Sequence, residues 1–164
     1  MTTGSENDLE RLLSKAESCE SHEGYEDALR IYDGILAVDP DNPRIWAHRG
    51  YCNYRRRNYH EAVRDFSRAI ELKSDVPSAL YCRAESYEYL GNLDCALADF
   101  EKSAVLSPEA DVFISIGLIH EYWGNILESK DAYLRALSLE PENETAANLY
   151  RSLGSENSTD PESP

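Results

Sequence analysis

"RNYHEAVRDF", residues 57–66, carries a pattern that recurs along the chain. A polar break at Arg57 is followed two residues on by Tyr59, and seven residues after that by Phe66. The same order returns in "EGYEDALRIY" (23–32), "GNLDCALADF" (91–100) and "GNILESKDAY" (124–133). Each copy carries a small residue between the two apolar ones: Ala28, Ala62, Ala96 and Ser129. Apolar residues at these intervals after a turn mark one face of a helix. A fixed interval between copies signals a repeat architecture, which has to be settled before any other reading.

Working outward, four segments align: 9–42, 43–76, 77–109 and 110–143, three of 34 residues and one of 33. They close on "AVDP", "ELKS", "VLSP" and "SLEP". The first half of each has a large residue (Leu12, Trp46, Leu80, Phe113) and, four residues later, a small one (Ala16, Gly50, Ala84, Gly117). Small residues let two helix axes approach and large ones fill the remaining space. Proline cannot continue a helix, so Pro40, Pro108 and Pro141 separate units. The spacing predicts helices over 9–22, 25–38, 43–56, 59–72, 77–90, 93–106, 110–123 and 126–139, with a ninth capping the end at 142–153.

The pattern over residues 9–143 resembles the tetratricopeptide repeat (TPR) family. Ser74 stands where the repeat-closing proline is expected, and Ile35 where Ala69, Ser103 and Ala136 are small. The resemblance implies an all-α, right-handed superhelical solenoid of antiparallel helix pairs in one domain over 9–153. Residues 1–8 and the polar stretch 154–164 are expected to be disordered. A lone helix pair cannot bury both faces, so stability comes from stacking on neighbours.

Just before the small residue of each first helix, where the family has leucine, stand Lys15, Arg49, Arg83 and Ile116. Facing them, one residue before each second-helix aromatic, stand Ile31, Asp65, Asp99 and Ala132. A charge at a half-buried place needs a partner. Ion pairs Arg49–Asp65 and Arg83–Asp99, bridging the helices of a repeat, are therefore expected.

The net charge of −15 disfavours nucleic-acid binding, which rests on neutralising phosphates. Repeat 2 is the exception: it nets +4, against −6, −4 and −4 for repeats 1, 3 and 4. Its Arg55, Arg56 and Arg57 read as an ordinary helix end, where cations oppose the dipole. No apolar run approaches the ~18 residues of a membrane span. The opening "MTTGSENDLE" has no secretory pattern, and Cys19, Cys52, Cys82 and Cys95 form no Cys-x-x-Cys. A cytoplasmic protein without a disulfide framework is expected.

No phosphate loop, nucleophile elbow, H-E-x-x-H or zinc spacing occurs, so no enzyme, cofactor or metal is expected. In this family the first helices line a concave groove for a peptide or helix. Helical spacing puts Arg44, His48, Tyr51, Tyr54 and Arg55 on that wall in repeat 2. Tyr81, Glu85, Glu88 and Tyr89 follow in repeat 3, and Leu118, Glu121 and Tyr122 in repeat 4. Tyrosines interleaved with carboxylates suit a protein or peptide with basic and aromatic or aliphatic side chains. A carboxylate clamp for chaperone C-terminal tails would need Lys and Asn where Leu13, Glu17, His48, Ser78 and Cys82 stand, so those tails are not expected partners. The functional reading is a non-catalytic interaction module, an adaptor, scaffold or assembly factor. A cognate inhibitor or chaperone masking a basic partner, and a self-assembling structural protein, are the alternatives.

Overall fold

A computed structural model describes residues 3–73 and 77–155. Among them lie α1 (Thr3–Ser21), α2 (Tyr25–Leu36), α3 (Pro43–Arg55), α4 (Tyr59–Leu72), α5 (Pro77–Tyr89), α6 (Leu93–Leu106), α7 (Ala110–Tyr122), α8 (Ile126–Leu139) and α9 (Glu144–Ser155), and no strand. The class is all-α, built of helix pairs. α1 starts at Thr3, inside the segment expected to be disordered. Residues 1–2 and 156–164 of the expected disordered ends, and 74–76 with Ser74, lie outside the described residues.

Helix starts have local causes. Pro43 sits in the first turn of α3, where its missing N–H costs nothing. Asn143 accepts the Ala146 N–H at 3.0 Å, capping α9. Helix ends share one device. The residue after each first helix's last turn is left-handed: Glu23 (φ 60°), Arg57 (φ 62°), Gly91 (φ 77°) and Gly124 (φ 77°). The next N–H then reaches back five residues to a free carbonyl: Gly24 to Cys19 (2.8 Å), Asn58 to Asn53 (2.9 Å), Asn92 to Tyr87 (2.8 Å) and Asn125 to His120 (2.8 Å). So the arginine triplet has three distinct places. Arg55 ends α3, Arg56 follows it, and Arg57 takes a conformation that usually falls to glycine.

The chain divides into two compact units with the boundary between Ala96 and Leu97. In the first, α1 packs on α2 and α3 on α4, while α2–α3 and α4–α5 contacts join successive repeats. Ala16, Ala28, Tyr32, Ile35, Leu36, Ile45 and Cys52 form one core, and Ala62, Phe66 and Ala79 another. Ile35, large where its counterparts are small, is buried there. In the second, α7 packs on α8 and α8 on α9, around Ala110, Ile114, Ala136 and Ala146.

The glycines of the first helices mark where two helices come closest. A methyl on Gly50 would lie 2.9 Å from the Phe66 ring, and one on Gly117 would lie 2.3 Å from the Tyr133 ring. Both are closer than carbon atoms tolerate.

The α3–α4 pair holds a polar bridge. Arg49 donates Nε to Asp65 Oδ2 at 3.0 Å and a terminal nitrogen to Oδ1 at 2.6 Å. Its other terminal nitrogen reaches Asp33 at 2.8 Å, and Asn53 adds a bond to Asp65 at 2.9 Å. The guanidinium also lies 4.4 Å from the centre of the Trp46 ring. Arg83 donates to Ser67 Oγ at 2.9 Å, and Asp99 is buried in the second unit.

Candidate functional site

The first unit presents a groove of about 310 Å³, lined by Glu20, Ala47, His48, Tyr51, Phe66, Ser78, Ala79 and Cys82. Helical spacing on α3 brings Ala47, His48 and Tyr51 to one side, and Ser78, Ala79 and Cys82 come from α5. The floor is apolar: Phe66 and Ala79 are buried.

Glu20 sits at the centre of the polar wall. It accepts from the Tyr32 hydroxyl at 2.6 Å, lies 3.3 Å from His48 Nδ1, and accepts from Cys52 Sγ at 3.5 Å. Burial pushes its carboxyl up, but bonds from His48 and Tyr32 outweigh this and hold it below the ordinary carboxylate value. The same burial pushes the Cys82 thiol up to about 12, so at neutral pH this wall carries a thiol, not a thiolate. His48 also stacks on Tyr32, ring centres 5.7 Å apart. Arg44 bonds Glu17.

Beside the groove is a ladder of rings. Tyr59 and Tyr89 stack with centres 4.5 Å apart and planes 7° from parallel, and Tyr54 lies against both at 6.1 and 6.4 Å. The Tyr54 hydroxyl bonds Glu85, and burial with that carboxylate pushes its phenol up. Arg55 lies between Tyr25 (5.2 Å) and Tyr51 (5.6 Å) and donates to the Tyr51 hydroxyl at 2.6 Å.

The sequence-derived wall thus falls into separate places. Arg44 and His48 gather around Glu17 and Glu20. Tyr51 and Arg55 gather around Tyr25. Tyr54 and Tyr89 join Tyr59, the first residue of α4. Tyr81 is half-buried, and Glu88 is exposed. Leu118, Glu121 and Tyr122 lie in the second unit, where Tyr122 is exposed and Glu121 accepts from the Tyr133 hydroxyl at 2.7 Å.

That last bond repeats Tyr32–Glu20, with the same separation of twelve residues. Sequence reasoning missed it, although a signal was present. The repeats with tyrosine as the second-helix aromatic have glutamate twelve residues earlier. The repeat with Phe66 has Tyr54 there, but the repeat with Phe100 has Glu88, so the signal is partial. Among the described residues, no group of three or more His, Cys, Asp and Glu is placed to hold a metal ion. No helix among them is long and apolar enough to cross a membrane.

Paired helices with left-handed turns and glycine close contacts define a helical-repeat protein. Comparison with known proteins agrees. Family profiles described as tetratricopeptide repeat match residues 15–84 and 110–143. The chain belongs to the tetratricopeptide repeat family. Protein unc-45 homolog B of Xenopus laevis is 30% identical over 107 residues, 63% of this chain but 11% of that protein. Human serine/threonine-protein phosphatase 5 is 30% identical over 99 residues, 60% of this chain and 20% of that protein. The chain therefore matches only a small part of these curated relatives. Among solved structures, a MamA protein superposes with a TM-score of 0.84 at 16% identity, covering 90% of this chain and 81% of that one. The first TPR of Spaghetti (RPAP3), bound to the HSP90 peptide SRMEEVD, superposes with a TM-score of 0.65 at 22% identity, covering 70% and 91%. These two likenesses speak for the fold.

Proposed function

We propose that this chain is a non-catalytic protein-interaction module whose first-unit groove receives a peptide with Lys or Arg beside aromatic or aliphatic side chains. The observation that carries the reading is the groove itself: an apolar floor of Phe66 and Ala79 beneath the Glu20 carboxylate, with Tyr51 on the wall. An anion held below its ordinary pKa in a partly dry wall attracts a cation more strongly than a surface carboxylate does. The aromatic ring offers contact area at low entropic cost. The RPAP3 repeat held an acidic peptide, which supports a peptide as the ligand class. The chemistry of this groove argues against that particular one. Glu20, Ser78 and Cys82 line it, with Glu17 4.0 Å from His48, and the Glu17 and Glu20 carboxylates repel another carboxylate. The four cysteines are free thiols, consistent with work in the reducing cytoplasm.

Fluorescence titration tests this with two labelled peptides, a Lys/Arg–Leu/Tyr sequence and SRMEEVD. The basic peptide should bind and the acidic one should not. Replacing Glu20 by glutamine and Tyr51 by alanine together should weaken the basic peptide about tenfold or more. Unchanged affinity, or preference for SRMEEVD, would refute the groove as described.

A further inference from the structure

Repeat 4 breaks the polar bridge. Where repeat 2 has Arg49 and Asp65 between its paired helices, repeat 4 has Ile116 and Ala132. Two charged side chains that fill space in one repeat are replaced by shorter apolar ones in another. A groove of about 540 Å³ lies there, lined from α6 by Glu101, Ala104 and Val105, and from α7 and α8 by Phe113, Ile116, Leu127 and Ala132 among others. Its size falls in the ~300–1,000 Å³ range of ligand-holding clefts. Ala104, Ile116 and Ala132 form a buried floor, while Val105 and Leu127 stand 83% and 80% exposed. On α7 the lining residues Phe113, Ile116 and His120 are on the side opposite Asp111, Leu118 and Tyr122. This groove is therefore distinct from any site on the inner stripe.

The rim says what covers it. Glu101, Glu128 and Asp131 border the groove, with Arg135 and His120. Arg135 is taken by Asp131 at 2.9 Å and lies 5.9 Å from the Phe113 ring centre. His120 meets the Trp123 ring edge-on. Glu101 and Glu128 have no ion-pair partner among the described residues. An apolar trough with uncompensated carboxylates at its edge fits an occupant that is aliphatic along one stripe and cationic beside it. A second copy of this chain, at −15, meets that rim with like charge.

We propose that the α6–α7–α8 groove docks an amphipathic helix of a partner protein, with aliphatic anchors at i, i+4 and i+7 and flanking lysines or arginines. The anchors cover Ile116 and Ala132 between Val105 and Leu127, and the cations face Glu101 and Glu128.

The test uses the whole chain and a fluorescein-labelled designed helix with Leu at the anchor positions and Lys elsewhere, read by anisotropy. A second peptide carries Ser in place of each Leu. The Leu peptide should saturate, and the Ser peptide should bind about tenfold more weakly or worse. The variant Leu127→Asp/Val105→Ser should lose about tenfold for the Leu peptide. Both side chains are exposed, and a carboxylate in the first turn of α8 suits the helix dipole, so circular dichroism should be unchanged. Glu101→Lys/Glu128→Lys should weaken binding severalfold at low salt and flatten its salt dependence. Tyr51→Ala, in the other groove, which also takes Lys beside aliphatic side chains, should lose less than the Leu127→Asp/Val105→Ser variant. Four results would overturn the proposal: equal affinity for the two peptides, full affinity in the Leu127→Asp/Val105→Ser variant, an equal loss in Tyr51→Ala, or self-association of the wild type that this variant abolishes. The last would assign the face to a second copy.

Discussion

Gly117→Ala isolates the close contact between α7 and α8. Two effects oppose each other. In a helix interior, alanine gains roughly 0.5–1 kcal/mol over glycine because the unfolded chain loses freedom. At Gly117 the added methyl would stand 2.3 Å from the Tyr133 ring, which must move. The ring is fully buried and its hydroxyl is tied to Glu121 at 2.7 Å, so it moves only by straining or breaking that bond. Overpacking costs about 1–3 kcal/mol and the hydrogen bond about 1 kcal/mol more. The net expectation is a loss of about 1–3 kcal/mol. Gly34 supplies the control: it lies inside α2 with nothing within 4 Å of the added carbon, so Gly34→Ala should gain about 0.5–1 kcal/mol. Gly50→Ala falls between, because the Phe66 contact at 2.9 Å is looser and the ring has no hydroxyl to hold it. Urea denaturation of the three variants gives the order directly. Tyr133→Phe should recover part of the Gly117→Ala loss by freeing the ring. A Gly117→Ala protein as stable as Gly34→Ala would refute the claim that this ring sets the helix separation.

Three further outcomes are expected. Arg49→Met leaves Asp65, whose side chain is 2% exposed, with the Asn53 amide but no cation against it, and should cost about 3–5 kcal/mol; the double variant Arg49→Met/Asp65→Leu should regain much of it in the same denaturation assay. Arg57→Gly should stabilise by about 1 kcal/mol, because the left-handed backbone there crowds any side chain, and thermal unfolding would show it; a loss would mean that the arginine holds something outside this chain's turn. Glu20 has a folded pKa below its unfolded one, so its ionised form contributes stability that is full above the ordinary value of 4.5 and lost as pH falls below it. Glu20→Gln should therefore cost about 1 kcal/mol at neutral pH, and wild type and variant should converge in acid, as read from urea midpoints across pH.

Helix positions were legible in the sequence because their causes are local. A break, an apolar residue and an aromatic at helical spacing place Tyr25, Tyr59, Leu93 and Ile126 at helix starts, and all four begin helices. The candidate site was legible only as a set of stripes. Which hydroxyl meets which carboxylate depends on side chains twelve or more residues apart. Tyr51 reads as a groove residue from spacing, but its hydroxyl is already engaged by Arg55. Glu23 and Arg57 give no warning of their left-handed backbone, since only their alignment with Gly91 and Gly124 reveals it. The substitution of Ile116 and Ala132 for a charged pair was visible in the sequence, but the groove it leaves depends on α6 as well.

Each compact unit contains one of the chain's two tryptophans: Trp46 in the first, beneath the Arg49 guanidinium, and Trp123 in the second, beside His120. Nature has thus installed a separate optical reporter in each half. Replacing either indole with phenylalanine leaves emission from one half alone, so melting of the two can be followed independently, without labels, and their cooperativity becomes a directly observable quantity.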